Sequence, residues 1–164
     1  MGSEARAHVA NNSGNFEWYT PPHIIAAVHA AMGGIDLDPA SCAAANQIVG
    51  AGLYYDSEGE TLPWFGRVFC NPPYNSKVVR KFAARAVRHP EVTFLCNNAT
   101  ETVAGQMLLE RAGAVCFLDG RVRFLDASLQ PAKTPLQGQM VCYWGPSVEM
   151  FKLAFDNLGS VLKR

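Results

Sequence analysis

The chain has 164 residues, enough for one domain burying roughly 68–70% of the surface its unfolded form exposes, and too few for a large second one. It is 49% apolar and 17% charged, the composition of a globular protein. Lys plus Arg equals Asp plus Glu, 14 against 14, which excludes a bulk polyanion binder and leaves any nucleic-acid contact to a local patch.

Five cysteines (Cys42, Cys70, Cys96, Cys116 and Cys142) occur without a C-x-x-C pair or a zinc spacing. Reduced thiols filling the core of a cytoplasmic protein are the simplest account, and no metal site is expected. No apolar run approaches the ~20 residues that span a bilayer, and the N-terminus lacks a signal core, so no membrane role is expected.

Residues 1–14 are small and polar and read as a disordered arm, with one domain over 15–164. Thr20-Pro21-Pro22 reads as a helix start, Thr20 capping and Pro in the first turn. Ile24, Ile25, Val28 and Met32 recur at helical spacing until Gly33-Gly34. A short strand, Ile35 to Asp38, ends in an acid before Pro39-Ala40. Residues 43–55 lead through a helix or turn to a second short strand near Tyr54. Val68-Phe69-Cys70 is a strand running into Asn71-Pro72-Pro73-Tyr74. Helices over 76–88 and 101–112 flank the strand Val92 to Cys96, which ends in Asn97-Asn98. Ala114 to Leu118 is a strand that Arg121 to Phe124 would extend. Gln139 to Trp144 closes the series of strands, and a last amphipathic helix is predicted over 147–162. Uniformly apolar strands alternating with helices predict an α/β fold, its sheet mostly parallel and covered on both faces. Ligands in such sheets bind at the carboxyl ends of strands, where Asp38, Asn71 and Asn97 stand.

Asn71-Pro72-Pro73-Tyr74 carries the most chemistry. Two prolines cannot continue a sheet ladder, and their fixed φ angles aim the neighbouring carbonyls. An amide oxygen and a carbonyl at one strand end can accept both protons of one NH2 group, with the Tyr74 ring beside them. Acceptance of both protons localises a delocalised amine lone pair, and the same dipoles stabilise the charge that develops on nitrogen. The plainer alternative is a rigid loop in which Asn71 caps the next helix. Asp38 has a similar alternative, an Asx hydrogen bond in a turn.

N-P-P-Y matches the [D/N/S]-P-P-[Y/F/W] motif of amino-methyltransferases. Phe16-Glu17-Trp18-Tyr19-Thr20-Pro21-Pro22 resembles the Y-T-P segment preceding their donor-binding motif. Asp36-Leu37-Asp38-Pro39-Ala40-Ser41-Cys42 resembles the donor motif itself in its D-P-A form. Together, from about Phe16 to Trp144, they resemble the phage-type (Dam-like) DNA N6-adenine methyltransferases. The resemblance implies a Rossmann-like S-adenosylmethionine-dependent methyltransferase fold with an antiparallel C-terminal hairpin, and location in the cytoplasm of a bacterial host or as a prophage product. It implies S-adenosylmethionine as methyl donor, with Tyr19, Thr20 and Pro21 at its methionine end, Asp38 at its amino group or the shell around it, and Pro39 and Ala40 also in the donor site. Asn71 and the Pro72 carbonyl would hold the adenine amine, and Tyr74 would stack on the flipped base. Among Asp56, Glu58 and Glu60 for the donor's ribose, Glu60 fits best, since Glu60-Thr61-Leu62 resembles the family's D-G-L segment with Thr61 where Gly is usual.

The stretch between Asp38 and Asn71 is too short for a target-recognition domain. Residues 75–89 hold Lys77, Arg80, Lys81, Arg85 and Arg88 without an acid, either a solvated face or a contact with the phosphates of double-stranded DNA; Lys77, Arg80 and Lys81 lie nearest the catalytic loop. Arg123 and Phe124 offer a cation and a second stacking wall, Phe124 being otherwise a core residue. A homodimer would let so small a domain wrap DNA, and Val141 to Trp144 is either such a surface or core. The rival functions are an amino-methyltransferase for RNA, protein glutamine or cytosine N4, and an inactive DNA- or partner-binding module of the same fold.

Overall fold

The computed structural model describes residues 18–132 and 137–164; the expected N-terminal arm lies outside them. Helix α1 (Pro22–Met32) packs Ile24, Ile25, Val28 and Met32 inward and ends at Gly33 in the left-handed conformation, φ 74°. Its N-cap is Pro21, with Pro22 inside the first turn. Thr20 is therefore not the cap: the Pro21 carbonyl already accepts from Ile24 and Ile25, and the Thr20 hydroxyl is engaged elsewhere.

The remaining elements follow as β1 (Leu37–Asp38), α2 (Ala43–Val49), β2 (Leu53–Tyr54), β3 (Val68–Cys70), α3 (Ser76–Ala86), β4 (Val92–Asn97), α4 (Val103–Arg111), β5 (Ala114–Leu118), β6 (Gln139–Trp144), α5 (Val148–Phe155) and β7 (Gly159–Lys163). Among the described residues seven strands form one sheet in the order β2-β1-β3-β4-β6-β5-β7. The first four are mutually parallel and every pairing from β4 onward is antiparallel, so the sheet is parallel in its first half and not mostly parallel as expected.

Both faces are covered, as the uniformly apolar strands require. Helices α1, α2 and α5 pack on one side, α3 and α4 on the other. Alternate residues therefore enter two cores: Phe69, Leu95 and Val141 the first, Val68, Cys70, Phe94 and Cys142 the second. The five cysteines are free thiols, and all but Cys42 are buried. Burial raises the thiol pKa, to about 11 at Cys116 and about 12 at Cys142.

Two further expectations need correction. The last helix stops at Phe155, and Gly159–Lys163 turns back as an edge strand antiparallel to β5. Gly159 permits this, since a Cβ there would overlap the Phe117 carbonyl. The antiparallel pair β5/β6 therefore exists but is not the edge of the sheet. Arg121 to Phe124 does not extend β5; the segment crosses the carboxyl end of the sheet until Leu125 exchanges two 2.9 Å backbone hydrogen bonds with Tyr19. Of the two readings of Val141 to Trp144 the structure bears out core: the segment is at most 1% exposed between β4 and β5.

At the opposite, amino end of the strands, Arg67 grips Asp36. Its Nε, Nη2 and backbone N–H each donate to the carboxylate at 2.8 Å. These hydrogen bonds hold Asp36 down at a pKa of about 2 and fasten the entries to β1 and β3 together.

Candidate active site

The carboxyl ends of β1 and β3 open into one cleft. Tyr19, Thr20, Asp38, Ala40 and Asn71 to Tyr74 all line it, with Trp18, Ser41 and Cys42. Three segments far apart in sequence thus meet, as parallel topology demands when each motif follows a strand or abuts one.

Asn71 leaves β3 where Pro72 and Pro73 end the ladder. Its Nδ2 donates to the Thr20 hydroxyl at 3.0 Å, while its buried Oδ1 has no hydrogen-bond partner. A buried amide oxygen left without any donor costs about 1–3 kcal/mol, so this one calls for a donor from outside the protein, a water or a ligand. The helix-cap alternative fails: Asn75 caps α3, its Oδ1 accepting from Lys77 and Val78.

Asp38 is 3% exposed and accepts from the Ala40 N–H at 3.1 Å, so the turn reading holds for the same side chain that lines the cleft. Burial pushes its pKa up to about 7, against the opposing pull of the Ala40 N–H. The Ser41 hydroxyl also favours the ionised form, although its buried oxygen makes no hydrogen bond of regular geometry. Cys42 caps α2 through its sulfur and donates to the Tyr19 hydroxyl at 3.4 Å, joining the wall of the cleft to the D-P-A loop.

Tyr74 stands between this cleft and a second hollow of about 340 Å³ formed by the starts of α3 and α4. Its ring meets the edge of Phe124 at 5.7 Å and 74°, and its hydroxyl donates to Gln139 at 2.9 Å. Phe124 is fully buried, so it backs Tyr74 as a core residue and presents no face of its own to a base.

Other expected residues lie outside the cleft. Pro21 caps α1, and Pro39 lies beneath Gly59, where a Cβ would overlap the Pro39 carbonyl. Glu60 is next to that close approach but faces Lys81, 3.9 Å away. Lys77 and Arg80 line the second hollow beside Tyr74. Arg85 is structural, donating to the Leu62 carbonyl and lying over Trp64. Arg123 lines a separate pocket with His23 and Arg121.

The model of the family DNA N-6-adenine-methyltransferase (Dam) matches residues 7–161. The chain belongs to this family. DNA adenine methylation is the activity that Dam membership implies, and DNA the substrate. Searches of curated proteins and of solved structures returned no match. Sequence reasoning passes over Ser41, which lines the cleft, and Gln139, which lies outside it and accepts from the Tyr74 hydroxyl. Gln139 had a visible signal, an amide heading an otherwise apolar strand; Ser41 had none beyond its place in the D-P-A segment. Among the described residues no three His, Cys, Asp or Glu side chains come together as a metal site, and no helix is long and apolar enough to cross a membrane.

Proposed function

We propose that this protein transfers a methyl group from S-adenosylmethionine to the N6 amine of adenine in double-stranded DNA, with the base turned out of the helix into the cleft. The observation that carries this reading is the partnerless Asn71 Oδ1, fixed in the cleft by Thr20.

The cleft suits such a donor. Asp38 supplies a buried carboxylate for an ammonium group, and the unsatisfied Ser41 hydroxyl supplies a polar contact beside it. Tyr19, Thr20 and Ala40 complete the wall. When bound, S-adenosylmethionine would provide a methyl group made electrophilic by its sulfonium, the S–CH3 bond breaking to leave a neutral thioether.

The protein's share is acceptance and alignment. Asn71 Oδ1 accepts a hydrogen bond from one N–H of the adenine amine and the Pro72 carbonyl from the other, which frees the nitrogen lone pair for attack. The same oxygens stabilise the positive charge that follows, and the excess proton leaves to water. Turning a base out costs a few kcal/mol, of which stacking on Tyr74 returns ~1–3. Lys77 and Arg80, beside Tyr74, meet the flanking phosphates; Lys81, Arg123 and Glu60 have weaker claims, since each lies outside both hollows at Tyr74.

The test is transfer of labelled methyl from S-adenosylmethionine to unmethylated duplex DNA, followed by digestion to nucleosides. Label in N6-methyladenosine is the expected result. Donor binding without label in any nucleoside would move the acceptor to RNA or protein, and no donor binding would favour an inactive binding module.

A further inference from the structure

Gln139 is the polar exception in β6. It is 1% exposed, and it faces Asn97 in the antiparallel register. Its Nε2 donates to Asn97 Oδ1 at 2.6 Å and to the Gln137 carbonyl at 2.9 Å, so both amide protons are used. Its Oε1 accepts from the Tyr74 hydroxyl at 2.9 Å. Rotating the amide would turn its NH2 on the phenol and its oxygen on two other oxygens. The orientation is thereby set, and Tyr74 must be the donor.

We infer that Gln139 is a positioning residue for Tyr74: by accepting the phenol proton from the end of β6, it fixes the tyrosine ring in the orientation that receives the acceptor base. The inference rests on the proposed methylation of adenine. A tyrosine ring has two rotatable bonds, and here two contacts restrain it, the edge of Phe124 and the oxygen of Gln139. Burial also keeps the phenol pKa well above its usual range, so the proton the contact needs is always present. Gln139 touches neither hollow, which separates its role from that of a ligand contact. Asn97 links the same amide to the end of β4, so β3, β4 and β6 hold the ring jointly.

The experiment is a double-mutant cycle on methyl transfer with Tyr74→Phe, Gln139→Leu and the double variant. Each single change should lower kcat by about 10- to 100-fold, the range that misplacement of a reacting group produces. The double should be no slower than the worse single, and KM for S-adenosylmethionine should be unchanged in all three. Multiplicative losses would overturn the inference. Gln139→Glu supplies a second arm should Gln139→Leu fold poorly. Either protonation state of the glutamic acid still offers an oxygen to the Tyr74 hydroxyl, so kcat should stay nearer wild type than in Gln139→Leu at every pH. A loss as large as that of Gln139→Leu would overturn the inference. Wild-type activity separates the two levels: a wild type that labels no adenine overturns the functional proposal and with it the role for Tyr74, whereas an active wild type with multiplicative variants overturns only Gln139.

Discussion

Thr20 and Asn71, 51 residues apart, share a hydrogen bond of 3.0 Å in which the amide NH2 donates to the hydroxyl. The bond couples the segment before α1 to the loop after β3, and it decides which way the Asn71 amide faces. With the NH2 side turned to Thr20, the amide oxygen has no donor from the protein and can accept from the amine to be methylated.

Asn71→Ala should therefore lower kcat by about 10²–10³-fold, the loss typical of removing one group that stabilises transition-state charge, while leaving the melting temperature within a few degrees of wild type. Thr20→Val keeps the shape and removes the acceptor. It should cost about 1–3 kcal/mol of stability by stranding the Asn71 NH2, and lower kcat as well; Thr20→Ser should restore both. Steady-state kinetics and thermal melts on the three variants check this, and an unchanged rate in Asn71→Ala would remove Asn71 from the mechanism.

Asp38 gives the ligand-free protein a distinctive pH dependence. Its folded pKa, about 7, lies above the ordinary 3.8. Between those values the unfolded chain has released the proton and the folded chain has not, so stability falls as pH rises from about 4 to 7 and levels off above. Asp38→Asn should abolish that decline and raise stability at pH 7 by at least ~1 kcal/mol, ~2–4 °C in Tm. Donor binding should run the other way, tightening as pH rises through 7, because an ammonium pairs with the ionised carboxylate. Thermal melts and calorimetric titration across pH 4–8 measure both.

The clasp between Asp36 and Arg67 acts in a different window. Hydrogen bonds from Arg67 hold Asp36 at about 2, below its ordinary 3.8, so this carboxylate stabilises the fold fully above pH 4 and loses that contribution as pH falls toward 2. Asp36→Asn should lower Tm at neutral pH and blunt the acid transition. At a temperature where the variant stays folded, kcat should match wild type, because the clasp sits at the end of the sheet away from the cleft.

Lys77 and Arg80 flank Tyr74, while Lys81 leans toward Glu60. Charge reversal of the first two should weaken DNA binding and reduce the slope of log affinity against log salt by about 0.9 for each phosphate that is no longer neutralised. Lys81→Glu should change that slope less. Titrations of duplex DNA at several salt concentrations decide it, and an unaltered slope in the Lys77/Arg80 double variant would return this helix face to simple solvation.

Much of this protein was legible locally. Apolar runs too short for helices marked the strands, Gly33 ended α1, and the order of Thr20, Asp38 and Asn71 pointed to a cleft at strand ends, because consecutive residues obey the same steric rules wherever they fold. Residues 159–163 were less legible: they suit helical and alternating patterns alike, and only the open edge of β5 made them a strand. Tertiary structure alone decided which polar atoms meet. Nothing in the neighbourhood of Asn71 shows that Thr20 would take its amide, or that Gln139 would reach Tyr74 across 65 residues. Hydrogen bonds act over about 3 Å, so their partners are settled only once the sheet has brought the strand ends together.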